Sequence, residues 1–189
     1  MSDLTITSAG VSVTPNSAGS SISTGKRDII RVTPTLTDVG AMVAGDVLFS
    51  SAEIPGIVRE EGGFSKITAA FVVSEAGSQA FNAHIVLTEK AVTLGAPNAT
   101  ANVAFDDLIA ANVIGTMISQ AAADTDGDLD NANIIQLAGY GTDTSHEFSL
   151  PILVKAAEGA TKIYFGAVLQ GSYNPQLADS LQFIFHIEH

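Results

Sequence analysis

The chain has 189 residues, of which 46% are hydrophobic and 15% charged, so it can bury one sizeable core. Eight basic and twenty acidic side chains give a formal charge of −12, which repels nucleic-acid phosphates and excludes a basic binding stripe. No apolar run approaches the roughly 20 residues of a membrane span, and the absence of cysteine excludes disulfides. We therefore expect neither a nucleic-acid partner nor a membrane partner.

The N-terminal segment, residues 1–27, is predicted to be an extended arm. Residues 8–26 are rich in Ser, Thr, Gly and Ala and carry almost no large apolar side chain. The opening residues MSDLTITSAG lack a basic start and a continuous apolar stretch, so no secretory signal is expected. Such an arm either orders against a neighbouring molecule or is only a frayed terminus. Residues 28–189 are predicted to form one domain.

From residue 28 onward, the dominant signal is the alternation of apolar and polar residues that is typical of β-strands. Three segments show it best, and we expect their apolar sets to face the core. These sets are Ile67, Ala69, Phe71 and Val73; Ala83, Ile85 and Leu87; and Leu181, Phe183, Phe185 and Ile187. Further strands are predicted at 29–33, 46–50, 112–119, 147–154 and 162–170. Pro151 cannot donate a ladder hydrogen bond, so its strand is expected at a sheet edge or at a bulge.

Helical periodicity is confined to one short segment, AFDDLIAANV at 104–113. Asp106 or Asp107 would stand near the N-terminus of this helix, where a carboxylate favours the helix dipole. About eight strands joined by short irregular links favour an all-β fold. We predict an antiparallel β-sandwich of jelly-roll type with one short helical segment.

The stretch DTDGDLDNAN contains four closely spaced carboxylates: Asp124, Asp126, Asp128 and Asp130. An EF-hand loop needs glycine at its sixth position, which is Leu129 here, so that site is excluded. Alternate carboxylates of a turning chain could still converge on one calcium ion. A solvated acidic loop is the alternative. Either way the segment would be structural, and we expect no other cofactor.

The four histidines, His84, His146, His186 and His189, lack the spacing of a zinc site and are expected to be exposed on strands. No nucleophile motif is present either. A chain with these properties is expected to act through its surfaces and not as an enzyme.

Several segments, taken in order, resemble the capsid decoration, or cement, proteins of tailed bacteriophages. They are VAGDVLF at 43–49, GGFSKITAAFVV at 62–73, NAHIVLTEK at 82–90, FDDLIAANVIGTMI at 105–118 and KIYFGAVLQGSYNPQLADSLQFIFHI at 162–187. The resemblance runs from residue 31 to the C-terminus. It implies a jelly-roll-like sandwich on the outer surface of the virion capsid, in contact with the major capsid protein and often trimeric. Residues 120–145 depart from the pattern and are expected to form a loop at the rim.

A carbohydrate- or host-binding module of a phage fibre or spike is the alternative function, because jelly rolls also serve as lectins. Tyr140, Tyr164 and Tyr173 would then stack on sugars. Aromatic residues make up only 6% of the chain and tryptophan is absent, which disfavours this alternative.

Overall fold

The computed structural model describes residues 6–8, 11–13, 27–37, 40–75, 81–119, 126–128, 132–139, 150–175 and 181–189. The described elements are β1 (Ile6–Ser8), β2 (Val11–Val13), β3 (Arg27–Val32), β4 (Val47–Ile54), β5 (Phe64–Ser74), β6 (Ala83–Thr88), α1 (Phe105–Ala111), β7 (Val113–Ser119), β8 (Asp126–Asp128), β9 (Asn133–Gly139), β10 (Ile152–Lys155), β11 (Ile163–Leu169) and β12 (Leu181–Glu188).

The described strands pair antiparallel throughout, so the prediction of an all-β fold with one short helix is confirmed. The main sheet follows the order β3-β12-β5-β9-β7-β6-β11-β4, while β10 pairs with β5 and β8 pairs with β9. Strands β1 and β2 pair with each other outside this sheet. The predicted boundary between arm and domain stays a prediction, because most of residues 1–26 lie outside the described part.

The main sheet is curled, and its two end strands, β3 and β4, contact each other. Counted in chain order, its eight path strands lie as first, eighth, third, sixth, fifth, fourth, seventh and second. This order is compatible with the predicted jelly roll. Hydrogen-bonded pairing between β7 and β9 joins both halves into one sheet. The finer assignment, a sandwich of two separate layers, therefore stays a prediction.

The inside of the curl is an apolar core with phenylalanine at its centre. Phe183 of β12 lies 5.0 Å from Phe165 of β11 and 5.5 Å from Phe49 of β4, ring centre to ring centre. These rings come from opposite ends of the strand order, so the sheet must fold back over itself to bring them together. Each fully buried ring contributes roughly 1.5 to 3 kcal/mol. The predicted inward sets of β6 and β12 are confirmed.

The inward set predicted for β5 is wrong beyond Ile67. In this strand Ile67, Ala70 and Val72 are buried, while Phe71 and Val73 face outward. The reason is a β-bulge: Ile67 pairs with Ile187 and Ala69 with His186, which leaves Thr68 as an extra residue. One extra residue reverses the facing of everything after it.

The region 120–145 is not simply a rim loop as predicted. Residues Asn133–Gly139 form β9, a central strand between β5 and β7, whose Ile135 and Leu137 are buried. The prediction for Pro151 is consistent with β10, a four-residue strand that starts just after it and pairs with β5 alone among the described strands. No helix among the described residues is long and apolar enough to span a membrane.

Candidate functional site

The predicted calcium site falls mostly outside the described residues. Asp126 and Asp128 lie on β8, whose backbone pairs with β9, whereas Asp124 and Asp130 are not described. Within the described ranges, no three His, Asp or Glu side chains form a group that could hold a metal ion. The calcium site stays a prediction.

The three described histidines are held in different places. His84 on β6 is half-buried, and burial lowers its pKa. His186 lies on the outside of β12, where its ring is 5.6 Å from that of Phe71. The expectation of exposed histidines is wrong for His189: only 4% of its side chain is exposed, and its Nε2 is 3.1 Å from Asp28 Oδ2. These positions do not form a metal site.

A surface pocket of about 400 Å³ opens where the sheet ends meet. It is lined by the end of β3 and residues 33–37 on one side and by β4 on the other. Glu53 is the only acidic or basic residue among the described lining residues, and its carboxylate binds Lys162 Nζ at 2.5 Å. The described lining therefore contains no pair of titratable groups for acid–base chemistry.

The outer surface over β4 and β11 is covered by the chain itself. Leu94 is buried, and it sits over Gly166 of β11 so closely that an added Cβ would lie 2.6 Å from Leu94 Cδ1. Ser50 ties this segment down, because its hydroxyl donates to Gly95 O at 2.9 Å and accepts from Leu94 N at 3.2 Å. Backbone hydrogen bonds from Val47 N to Ala99 O and from Asn98 N to Val47 O continue the attachment. We call residues 90–104 the covering segment.

Among the described residues, no segment covers the outer surface of the other half of the sheet. Residues opposite each other in an antiparallel pair lie on the same side, so register defines four rows across β3, β12, β5 and β9. The rows are Gln182, Val73 and Ile134; Arg31, Ile184, Phe71 and Gln136; Ile29, His186 and Ala69; and Arg27, Glu188 and Lys66. We call this surface the open face. Ile29 is 51% exposed and Ile134 42%, so the described part of the chain leaves both apolar ends uncovered.

The charge of the open face is opposite to that of the chain. Its rows contain three cations, Arg27, Arg31 and Lys66, and one carboxylate, Glu188, for a net charge of +2. The chain as a whole carries −12, so the remaining residues carry −14. Within the described residues, none of these three cations is in an ion pair. The open face therefore combines apolar side chains with cations that form no ion pair among the described residues, on a protein that is acidic overall.

A second uncovered apolar surface lies on α1. Phe105 is 75% exposed and Ile109 64%, and Ala111 is the only buried residue of this seven-residue helix. Asp106 and Asp107, in the first turn, are exposed as well. The helix is held at its C-terminal end, where the Asn112 amide donates to the buried Glu89 carboxylate and Lys155 Nζ lies 3.6 Å from Glu89 Oε1.

Sequence reasoning missed both surfaces. The alternation in β5 placed Phe71 and Val73 in the core, and the bulge that turns them outward has no residue signal of its own. The exposed Phe105 and Ile109 are four residues apart, a spacing that usually marks a buried helix face.

The chain matches no protein-family model, no curated protein and no solved structure.

Proposed function

We propose that the protein is a virion structural protein, a capsid decoration protein that binds the outer surface of the major capsid shell and stabilises it. The observation that carries the binding role is the open face, which in this proposal serves contacts between copies of the protein. Large uncovered apolar surfaces are rare on monomeric proteins and usually mark contacts with other proteins. The identity of the partner, the major capsid protein, comes from the resemblance of the sequence to cement proteins.

A curled sheet with a large aromatic core suits a protein that stabilises a shell by binding to it. A ligand that binds the assembled shell better than its free subunits shifts the equilibrium towards the assembled state by its binding free energy. We propose that the N-terminal arm, residues 1–27, makes shell contacts and that the uncovered surfaces serve protein contacts of the homo-oligomer, with a trimer favoured.

The test is to mix the purified chain with bare shells of its parent particle. We expect stoichiometric binding and a higher temperature of shell disruption. A variant that lacks residues 4–26 should bind at least about tenfold more weakly, a loss of about 1.4 kcal/mol. Shells that bind none of the full chain would overturn the proposal. Shells that bind the deletion variant equally well would remove the arm from it.

The alternative, a carbohydrate-binding module, gains little support from the described tyrosines. Tyr173 is buried, 1% exposed, and its hydroxyl is 2.9 Å from Ser74 Oγ in the core, so it cannot stack on a sugar. Tyr164 is half-buried, with Lys162 Nζ 5.5 Å from its ring centre. Tyr140 lies outside the described residues. Specific binding to a glycan array would revive this alternative.

A further inference from the structure

We propose that α1 of one copy of this chain docks on the open face of another copy. The inference deepens the homo-oligomer of the proposed function by assigning the surfaces that meet. Both surfaces belong to the same chain. The surface of α1 carries acidic side chains, the open face carries basic ones, and both expose apolar side chains.

The helix α1 is too short to be stable without packing against other parts of the protein. Isolated helices shorter than about 12 residues are marginal in water and depend on packing for stability. This helix has seven residues and packs mainly through its C-terminal end, while Phe105 and Ile109 remain exposed on one side. Residues four apart on a helix are neighbours, so the two side chains form one apolar contact site.

The charges of α1 and of the open face are opposite in sign. Asp106 flanks this contact site on α1, while Asp107 lies on the opposite side of the helix, near Lys90 of its own chain. On the open face, Arg31 and Lys66 form no ion pair among the described residues. Two open faces would repel each other, because each carries +2. An open face and an α1 of another copy attract, since apolar side chains can meet apolar side chains and carboxylates can meet cations.

The dimensions of α1 and of the open face also match. A helix of seven residues is about 10 Å long and about 10 Å wide, and the four strands of the open face span about 14 Å at a spacing of about 4.8 Å. The helix fits on this surface. The contact is smaller than the roughly 800 Å² per partner of a standard interface. We therefore expect micromolar affinity for one contact, reinforced when copies close into a symmetric oligomer.

The experiment is sedimentation velocity on the purified full chain over a range of protein and salt concentrations. We expect concentration-dependent association that weakens as salt rises. Arg31→Glu should weaken association about tenfold or more, and so should Asp106→Arg. Combining the two changes should restore much of the association, because the charges are exchanged. Phe105→Ser with Ile109→Ser should abolish it.

Matched controls come from exposed residues outside both surfaces. Arg59→Glu and Glu158→Arg change the charge equally, and Val43→Ser removes an apolar side chain that is 59% exposed. Each should associate like the wild type, and circular dichroism melts should show every variant folded. A chain that stays monomeric, or whose association ignores Arg31→Glu and the helix variants, overturns the inference. Shell binding is measured separately, so that result would leave the proposed function standing.

Discussion

The two outer surfaces of the sheet differ in what covers them. Over β4 and β11, the covering segment places Leu94 on Gly166 and is fastened by Ser50 and by backbone hydrogen bonds to Val47. Over β3, β12, β5 and β9, the described part of the chain provides no such segment and leaves Ile29, Ile134 and the cationic side chains exposed. The difference indicates that the first surface serves stability, while the second is available for a partner. Substitutions under the covering segment should therefore lower the free energy of unfolding, whereas substitutions on the open face should weaken association and leave that free energy almost unchanged.

The largest effect is expected from Gly166→Ala. The new Cβ would lie 2.2 Å from Ser50 O, a backbone atom of β4, and 2.6 Å from Leu94 Cδ1, so β11 would have to move away from both β4 and the covering segment. We expect a loss of more than about 3 kcal/mol in the free energy of unfolding, measured in urea. Gly115→Ala is the control, because its nearest contact is Ile152 Cγ2 at an ordinary 3.5 Å. Equal stability of the two variants would show that Gly166 does not pack tightly against β4 and Leu94.

Leu94→Ala should cost about 2 to 3 kcal/mol, since it removes a buried side chain and leaves a cavity above Gly166. Ile29→Ala, on the open face, should change the free energy of unfolding by less than about 0.5 kcal/mol. Thermal and urea unfolding of both variants measure the contrast. If Ile29→Ala proved as costly as Leu94→Ala, the open face would be packed within the monomer.

Ser50→Ala should cost about 1 kcal/mol, because it removes the hydroxyl that bonds to Gly95 O and Leu94 N. Its exposed neighbour Ser51 provides the comparison, and Ser51→Ala should be close to neutral. Hydrogen exchange should show faster exchange of the Leu94 amide in the Ser50 variant only. An unchanged rate would mean that backbone bonds alone fasten the segment.

The smallest effect concerns pH. Burial lowers the pKa of His84, so the unfolded chain takes up a proton before the folded chain does. The stability present above pH about 6.5, the ordinary histidine value, should decline as the pH falls through this value towards the lowered pKa. His84→Gln should flatten this part of the stability curve and match the wild type at pH 8. A curve of unchanged slope would contradict this assignment.

Much of the interior could be predicted from residues alone. The alternation in 181–188 and 83–87 identified the inward sets of β12 and β6, because a strand without a bulge keeps strict period two. The same rule fails in β5, where Thr68 is an extra residue, and it does not predict β9, which lies inside the stretch expected to form a loop. Acidic spacing marked Asp124 to Asp130 as a candidate site without deciding whether it binds calcium.

Local pattern by itself determined that this chain forms antiparallel strands around an apolar core with one short helix, because the facing of side chains along a strand is fixed by neighbouring residues. The placing of Phe71 and Val73 outside, of Leu94 over Gly166 and of Phe105 in solvent was decided only by tertiary structure. Bulges, strand order and the path of the covering segment depend on residues far apart in the chain. Within the part of the chain that the structure describes, these long-range contacts cover one outer face of the sheet and leave the other exposed.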